Sequence, residues 1–205
     1  MKKRRARISS GDKVYRRALR EFHRLFGRIK RSGLAEPTAV ILATAGASGR
    51  PSARTVLLKG LDQRGFVFYT NRLSRKGKQL KENPRAALCF YWEPIGRQVI
   101  VEGSVRPVSN READLYWSTR PRESQIGAWA SAQSQPLKSR AQMLLQAARS
   151  MRKFAGRPVP RPRYWSGFRV VPQRIEFWKR RPFRLHERIL FLKRGGRWKQ
   201  QLLSP

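Results

Sequence analysis

The sequence predicts a mainly β fold with helices packed around it, of the antiparallel-barrel kind. Short β-rich runs recur at 38–44, 53–59, 65–70, 86–92 and 98–108, and regular short strands are the mark of a barrel. Turn signals separate them, Ser48-Gly49-Arg50-Pro51 and Asp62-Gln63-Arg64-Gly65 among them. The chain has 205 residues and is 40% hydrophobic, enough to fill one core.

The elements follow in order. Residues 1–12 read as a flexible basic leader, and 13–205 as one domain. Val14, Tyr15, Ala18, Leu19, Phe22, Leu25, Phe26 and Ile29 recur at helical spacing, with Ser10 or Asp12 as a cap and Gly33 as a stop. The polar face of this helix is almost all Arg and Lys, and His23 on it is structural. A basic helix over 74–82 interrupts the strands, and 110–119 and 123–131 look helical. Leu137, Ala141, Leu144, Leu145, Ala148, Met151 and Phe154 mark a further amphipathic helix. Pro158 to Pro162 form a stiff linker into the C-terminal strands.

Composition excludes several classes of function. No apolar run approaches the roughly 20 residues that span a bilayer, and the basic start leads into Ile8-Ser9-Ser10-Gly11 instead of an apolar signal segment. A cytoplasmic protein without a transmembrane segment is the expectation. Cys89 is the only cysteine, so no internal disulfide forms, and it reads as a small buried hydrophobe. Walker, dinucleotide and Gly-x-Ser-x-Gly motifs are missing, and one Cys with two His builds no usual zinc site. Any chemistry therefore belongs to a cofactor that the protein orients. The charge is extreme: 47 basic against 12 acidic residues give +35, with no acid between Ser124 and Ile175. Such a field attracts anionic small molecules and also, without any specific site, polyanions such as nucleic acid.

The densest cluster is Ile175-Glu176-Phe177-Trp178 followed by Arg184-Leu185-His186-Glu187-Arg188. Trp178 on an alternating strand can stack on a flat ring, and Arg184 and Arg188 present forks of donors that match phosphate or carboxylate. His186 between them can donate or polarise. Arg184 and His186, two apart, share a face if the strand is regular. Arg54 and Lys59, five apart, project to opposite faces of a regular strand and so suggest two separate anions. Tyr116, Arg120 and Ser124, four apart, share one face of a continuous helix, although Pro121 threatens that continuity.

The C-terminal cluster resembles the signature of the pyridoxamine 5'-phosphate oxidases. The likeness continues through Ser52-Ala53-Arg54-Thr55-Val56-Leu57-Leu58-Lys59, Phe68-Tyr69-Thr70-Asn71, Ser74-Arg75-Lys76-Gly77, Arg97-Gln98-Val99, Arg120 to Trp129, Gln133-Ser134 and Tyr164 to Phe168, in family order. It implies an FMN-binding split β-barrel surrounded by helices, homodimeric, with a flavin at each end of the subunit interface. It also implies oxidation of pyridoxine 5'-phosphate and pyridoxamine 5'-phosphate by dioxygen to pyridoxal 5'-phosphate, with hydrogen peroxide, and ammonia from the amine. By resemblance, Arg54, Thr55, Val56, Leu57, Leu58, Lys59, Tyr69, Thr70, Arg75, Lys76, Gln98, Gln133, Ser134, Trp178 and Arg188 contact the cofactor. Lys59, Tyr116, Arg120 and Ser124 match the substrate-phosphate site, and Arg184 and His186 match the pair over the substrate ring, where catalysis is assigned. Two departures stand out: Lys179-Arg180-Arg181-Pro182 replaces Gln and small residues, and residues 1–12 hold no match to the N-terminal arginine and tyrosine of the family. The competing readings are a related split-barrel flavin reductase and a polyanion-binding module on the same fold.

Overall fold

The computed structural model describes residues 10–205, with side chains from Lys13 onward. The basic leader expected over residues 1–12 therefore falls largely outside the described residues. The first element is α1 (Ser10–Lys30). Gly33, with φ of 77°, ends the turn behind it, a backbone conformation that glycine adopts without penalty.

Nine strands follow, with helices between them: β1 (Ala39–Ala45), β2 (Pro51–Leu57), β3 (Gly60–Asp62), β4 (Gly65–Asn71), α2 (Arg75–Glu82), β5 (Arg85–Trp92), β6 (Arg97–Pro107), α3 (Asn110–Ser118), α4 (Arg122–Ala130), α5 (Arg140–Lys153), β7 (Trp165–Lys179), β8 (Glu187–Arg194) and β9 (Arg197–Leu203). Neighbouring strands run antiparallel in the order β2-β1-β5-β6-β7-β4-β3, and β8 and β9 continue from β7. The sheet curls into the half-barrel that the strand pattern predicts. The short β3 was not expected, because its three residues carry no alternation.

β7 is the spine. One edge pairs with β6 from Phe168 to Lys179, while β4 takes the first part of the other edge and β8 the last. Midway the register slips at Glu102/Gly103 opposite Pro172, which has no N–H to give the ladder. A Cβ on Gly103 would lie 2.0 Å from the Val171 carbonyl oxygen, so this bulge admits only glycine.

Alternation sets the two faces of the sheet. Val40, Leu42, Leu88, Phe90, Trp92, Val99, Val101, Ile175 and Phe177 point inward and are buried. The apolar stripe of α1 fills that concavity: Phe22 meets Phe66 at 4.9 Å and Phe90 at 5.0 Å, both edge to face. Truncating such a side chain costs about 3–5 kcal/mol, so α1 is part of the core and no mere appendage. The opposite face carries Ile41, 46% exposed, and Tyr91, 51% exposed, beside Ala43, Ala87 and Ile100 in adjacent registers. Cys89 sits there too, half-buried instead of enclosed in the core, and burial pushes its thiol up. A second core of Trp117, Ile126, Phe154, Val159 and Trp165 ties the helical layer to the start of β7. No described helix is long and apolar enough to cross a membrane, and no cluster of metal-ligating residues occurs among the described residues.

Candidate active site

Ser74 caps α2, accepting a hydrogen bond from the Gly77 amide, and so fixes where Arg75 and Lys76 stand. A Cβ on Gly77 would meet the Arg72 carbonyl oxygen at 2.2 Å, so only glycine lets the helix begin this close to β4. Lys76 is buried, 8% exposed, and its Nζ donates to Thr70 Oγ1 (3.2 Å), Ser74 Oγ (3.3 Å) and Gln133 Oε1 (3.3 Å). Burial, and then the nearby Arg54 charge, push the Lys76 ammonium down. Arg54 reaches in from β2 and is held by Thr44 Oγ1 (2.6 Å), the Leu42 carbonyl (3.1 Å), Gln79 Oε1 (3.2 Å) and Ser52. Its guanidinium is in turn lowered by burial and by Arg75. None of these three cations makes an ion pair among the described residues. Like charges gathered without a counter-ion are costly unless an anion joins them.

Next to them opens a cavity of about 520 Å³ whose wall includes Lys59, Lys76, Tyr116, Arg120, Ser124 and Gln133. Thr55, Val56, Leu57, Tyr69 and Thr70 also face it, whereas Leu58 turns into the core. Arg75 and Ser134 line the adjoining cleft, reached through the Gln133-Ser134 link, where Ser134 holds a φ of 71°. The expected continuous helix through Tyr116, Arg120 and Ser124 is not formed: α3 stops at Ser118 and α4 starts at Arg122. Pro121 has no N–H to extend the first helix and stands at the head of the second. All three side chains still line the one cavity, because the break folds α4 back over the same opening.

Tyr69, Tyr116 and Trp165 form a stack: Tyr69 is 4.0 Å from Tyr116 and 5.4 Å from Trp165, ring planes within 15° and 7°. Arg120 lies over Trp165 at 4.6 Å, and its NH1 is buried without a partner. A buried guanidinium nitrogen beside a polar cavity is a donor suited to an anionic acceptor. Burial, then Glu112 and Tyr116, push Tyr69 up to about 12, and burial raises Tyr116 too, so both phenols are donors at neutral pH. Trp165 and Gln79 carry the geometry of this site but were not singled out from sequence. Trp165 was visible only as one aromatic in a motif, and nothing in the spacing of Gln79 marks it as the acceptor shared by Thr44, Ser52 and Arg54.

The remaining residues assemble elsewhere. Gln98, Trp178 and Arg188 form one cross-strand row, Gln98 opposite Trp178 and Trp178 opposite Arg188. Glu176, 4% exposed, anchors the row, accepting from Arg188 Nε at 2.8 Å and Arg174 NH2 at 2.6 Å. Burial raises this carboxyl, but the two arginines outweigh it and hold it low. Arg184 and His186 do not share a strand face as the alternation suggested. Pro182–Arg184 form a 3-10 turn with Phe183 and Arg184 at φ of 55° and 60°, and β8 begins only at Glu187. Proline cannot continue the ladder, so the chain turns before it can pair. The turn folds His186 back to 4.5 Å from the Trp178 ring, and the Arg181 amide donates to His186 Nδ1 at 3.2 Å. A bond accepted at Nδ1 leaves the proton of the neutral ring on Nε2, which is then a donor.

This row sits at one end of β7 and the cavity at the other. Trp165 and Trp178 bracket nearly all of the 15-residue strand, a contour of about 40 Å.

Residues 30–151 match the family model described as pyridoxamine 5'-phosphate oxidase. Residues 165–205 match the model described as the pyridoxine 5'-phosphate oxidase C-terminal dimerisation region. A pyridoxine/pyridoxamine 5'-phosphate oxidase of Myxococcus xanthus is 54% identical over 187 residues, 91% of each chain. Another, of Alkalilimnicola ehrlichii, is 53% identical over 190 residues, 92% of this chain and 97% of that one. Among solved structures, PhzG from Burkholderia lata in complex with tetrahydrophenazine-1-carboxylic acid is similar with a TM-score of 0.86 and 33% identity, covering 91% of this chain and 92% of that one. A pyridoxamine 5'-phosphate oxidase-related, FMN-binding protein of Nostoc punctiforme has a TM-score of 0.71 at 17% identity, covering 97% of this chain and all of that one, a likeness of fold alone.

Proposed function

The chain belongs to the pyridoxamine 5'-phosphate oxidase family and is an oxidoreductase, and from that premise we propose that it uses FMN and dioxygen to convert pyridoxine 5'-phosphate and pyridoxamine 5'-phosphate to pyridoxal 5'-phosphate. The observation that carries this reading is a set of cations that form no ion pair among the described residues: Lys59, Lys76 and Arg120 on one cavity, Arg75 on the adjoining cleft, and Arg54 within reach of Arg75 and Lys76. Two phosphates satisfy them, that of the flavin at the head of α2, where helix N-terminus and cations act together, and that of the substrate beside Arg120.

The second half of the site comes from a second copy of the chain. Trp178, Arg184, His186 and Arg188 lie at the far end of β7 from the cavity, and the sheet face with Ile41, Tyr91 and Ile100 is apolar and uncovered. A two-fold pairing through that face buries it and brings the β7–β8 hairpin of one copy to the cavity of the other. The match of residues 165–205 to a dimerisation region supports this.

Held by Arg54, Arg75 and Lys76, FMN would supply a hydride acceptor that dioxygen can reoxidise, with hydrogen peroxide as the product of that reoxidation. The chain's own residues bind and orient. Lys59, Arg120, Tyr116 and Ser124 hold the substrate phosphate by charge and by protonated hydroxyls. Trp178, with His186 tilted against it at 51°, gives an aromatic wall, and the Nε2 proton of His186 is a donor toward the ring. Arg184 offers positive charge where electron density builds, preorganised by its turn; such donors are worth several kcal/mol. Water completes the amine reaction, releasing ammonia.

The test is anaerobic. FMN-loaded protein is mixed with pyridoxine 5'-phosphate, and bleaching of the flavin band that air reverses, with pyridoxal 5'-phosphate formed, is the expected result. Flavin that binds but stays yellow with both substrates would overturn the oxidase and leave the related reductase.

A further inference from the structure

The five exposed cations Lys13, Arg17, Arg20, Arg24 and Arg28 lie along α1 at intervals of three and four residues. At 100° per residue they fall within an arc of about 80°, a straight ridge about 22 Å long. Phe22, Leu25 and Ile29, wholly or almost wholly buried, occupy the opposite side. Among the described residues of α1, Glu21 is the acid beside the ridge, receiving Arg24 at 2.6 and 2.9 Å, while off the helix Arg97 of β6 adds a positive charge close to Arg24 and Arg28, with Glu187 within its electrostatic reach.

We propose that this ridge binds the phosphodiester backbone of nucleic acid, independently of base sequence. Each strand of a duplex carries a phosphate per roughly 3.4 Å of axis, so a contact of about 22 Å crossing both strands offers the five cations at least as many phosphates as they can neutralise. Four of the five are arginines, whose forks suit phosphate oxygens. A membrane is the poorer partner, since an interfacial helix must bury its apolar face in lipid and α1 has committed that face to Phe66, Phe90 and Trp92. The ridge stays free in the proposed dimer, because α1 fills the concave side of the sheet and pairing uses the convex one.

The experiment measures binding of a fluorescein-labelled DNA duplex to the flavin-loaded protein as salt is raised. A log–log slope of about −4.5 is expected for five phosphates. The triple variant Arg17→Gln, Arg20→Gln, Arg28→Gln should lose about 2.7 of that slope and keep its flavin and its oxidase activity, since none of the three touches the site. Arg140→Gln, Arg149→Gln, Arg152→Gln on α5 removes the same charge elsewhere and should leave the slope nearly unchanged. Equal losses in both variants would assign binding to the overall field and overturn the ridge. So would salt-insensitive or undetectable binding, or ridge-dependent binding to phosphatidylserine vesicles without binding to DNA.

Discussion

Replacing Lys76 by Met should move stability and cofactor binding in opposite directions. Lys76 is 8% exposed, bonded only to two hydroxyls and one amide oxygen, and lowered by burial and by Arg54. Confining an unpaired ammonium costs several kcal/mol, offset by three hydrogen bonds of 3.2–3.3 Å at about 1 kcal/mol each. Methionine fills similar space without the charge, so the flavin-free variant should gain about 1 kcal/mol. In the loaded protein the lost charge-assisted bond to phosphate costs about 1.5–3 kcal/mol, an FMN affinity about 10- to 100-fold weaker. The pH dependence has a definite sign. A lysine lowered in the folded state destabilises it fully below the folded value, and the penalty vanishes as pH rises past the ordinary lysine value of 10.5. The advantage of the variant should therefore fade at high pH. Urea unfolding of flavin-free protein across pH, with fluorescence titration by FMN, measures both effects. A variant less stable than wild type with unchanged FMN affinity would refute the reasoning.

Arg120→Leu should raise KM for either substrate about 10-fold or more, a charged hydrogen bond being worth about 1.5–3 kcal/mol; FMN affinity should hold, as the proposed site for the flavin phosphate is at α2. Glu176→Gln should cost about 2 kcal/mol in urea unfolding, below the 3–5 of a fully buried pair because Arg174 and Arg188 remain 33% and 30% exposed. Its carboxyl is held low, so the stability it provides is present above the ordinary 4.5 and lost on acidification through the folded value; the variant should show a flatter acid limb. Lys76→Met and Trp178→Ala proteins, each left nearly without flavin and activity at limiting FMN, should under that condition recover about a quarter of wild-type activity after unfolding and refolding together, since half the dimers carry one intact site of two. No recovery would place the whole site within one chain.

Helix and strand existence was legible because burial imposes simple periods. The stripe from Val14 to Ile29 and the alternation from Ala86 to Trp92 each match a face that the structure buries. Boundaries failed where backbone chemistry interrupts the period. Pro121 splits Tyr116 from Ser124, and Pro182 turns Arg184 and His186 out of the strand their spacing suggested. In both places the side chains remain usefully placed, because a turn folds them back instead of carrying them away.

Composition, period and motif order by themselves determined the antiparallel barrel-like sheet, the amphipathic first helix, and the residue types available for two anions. Those are local properties, set by alternation and by the burial each short run can achieve. Which cations stand together unneutralised, that Arg120 has an orphaned nitrogen, and that the Trp178 row stands a strand's length from the cavity were decided only in three dimensions. The physical reason is that β7 is one continuous ladder shared by β4 and β8: pairing fixes which residues face each other across strands, and no spacing along the chain encodes that.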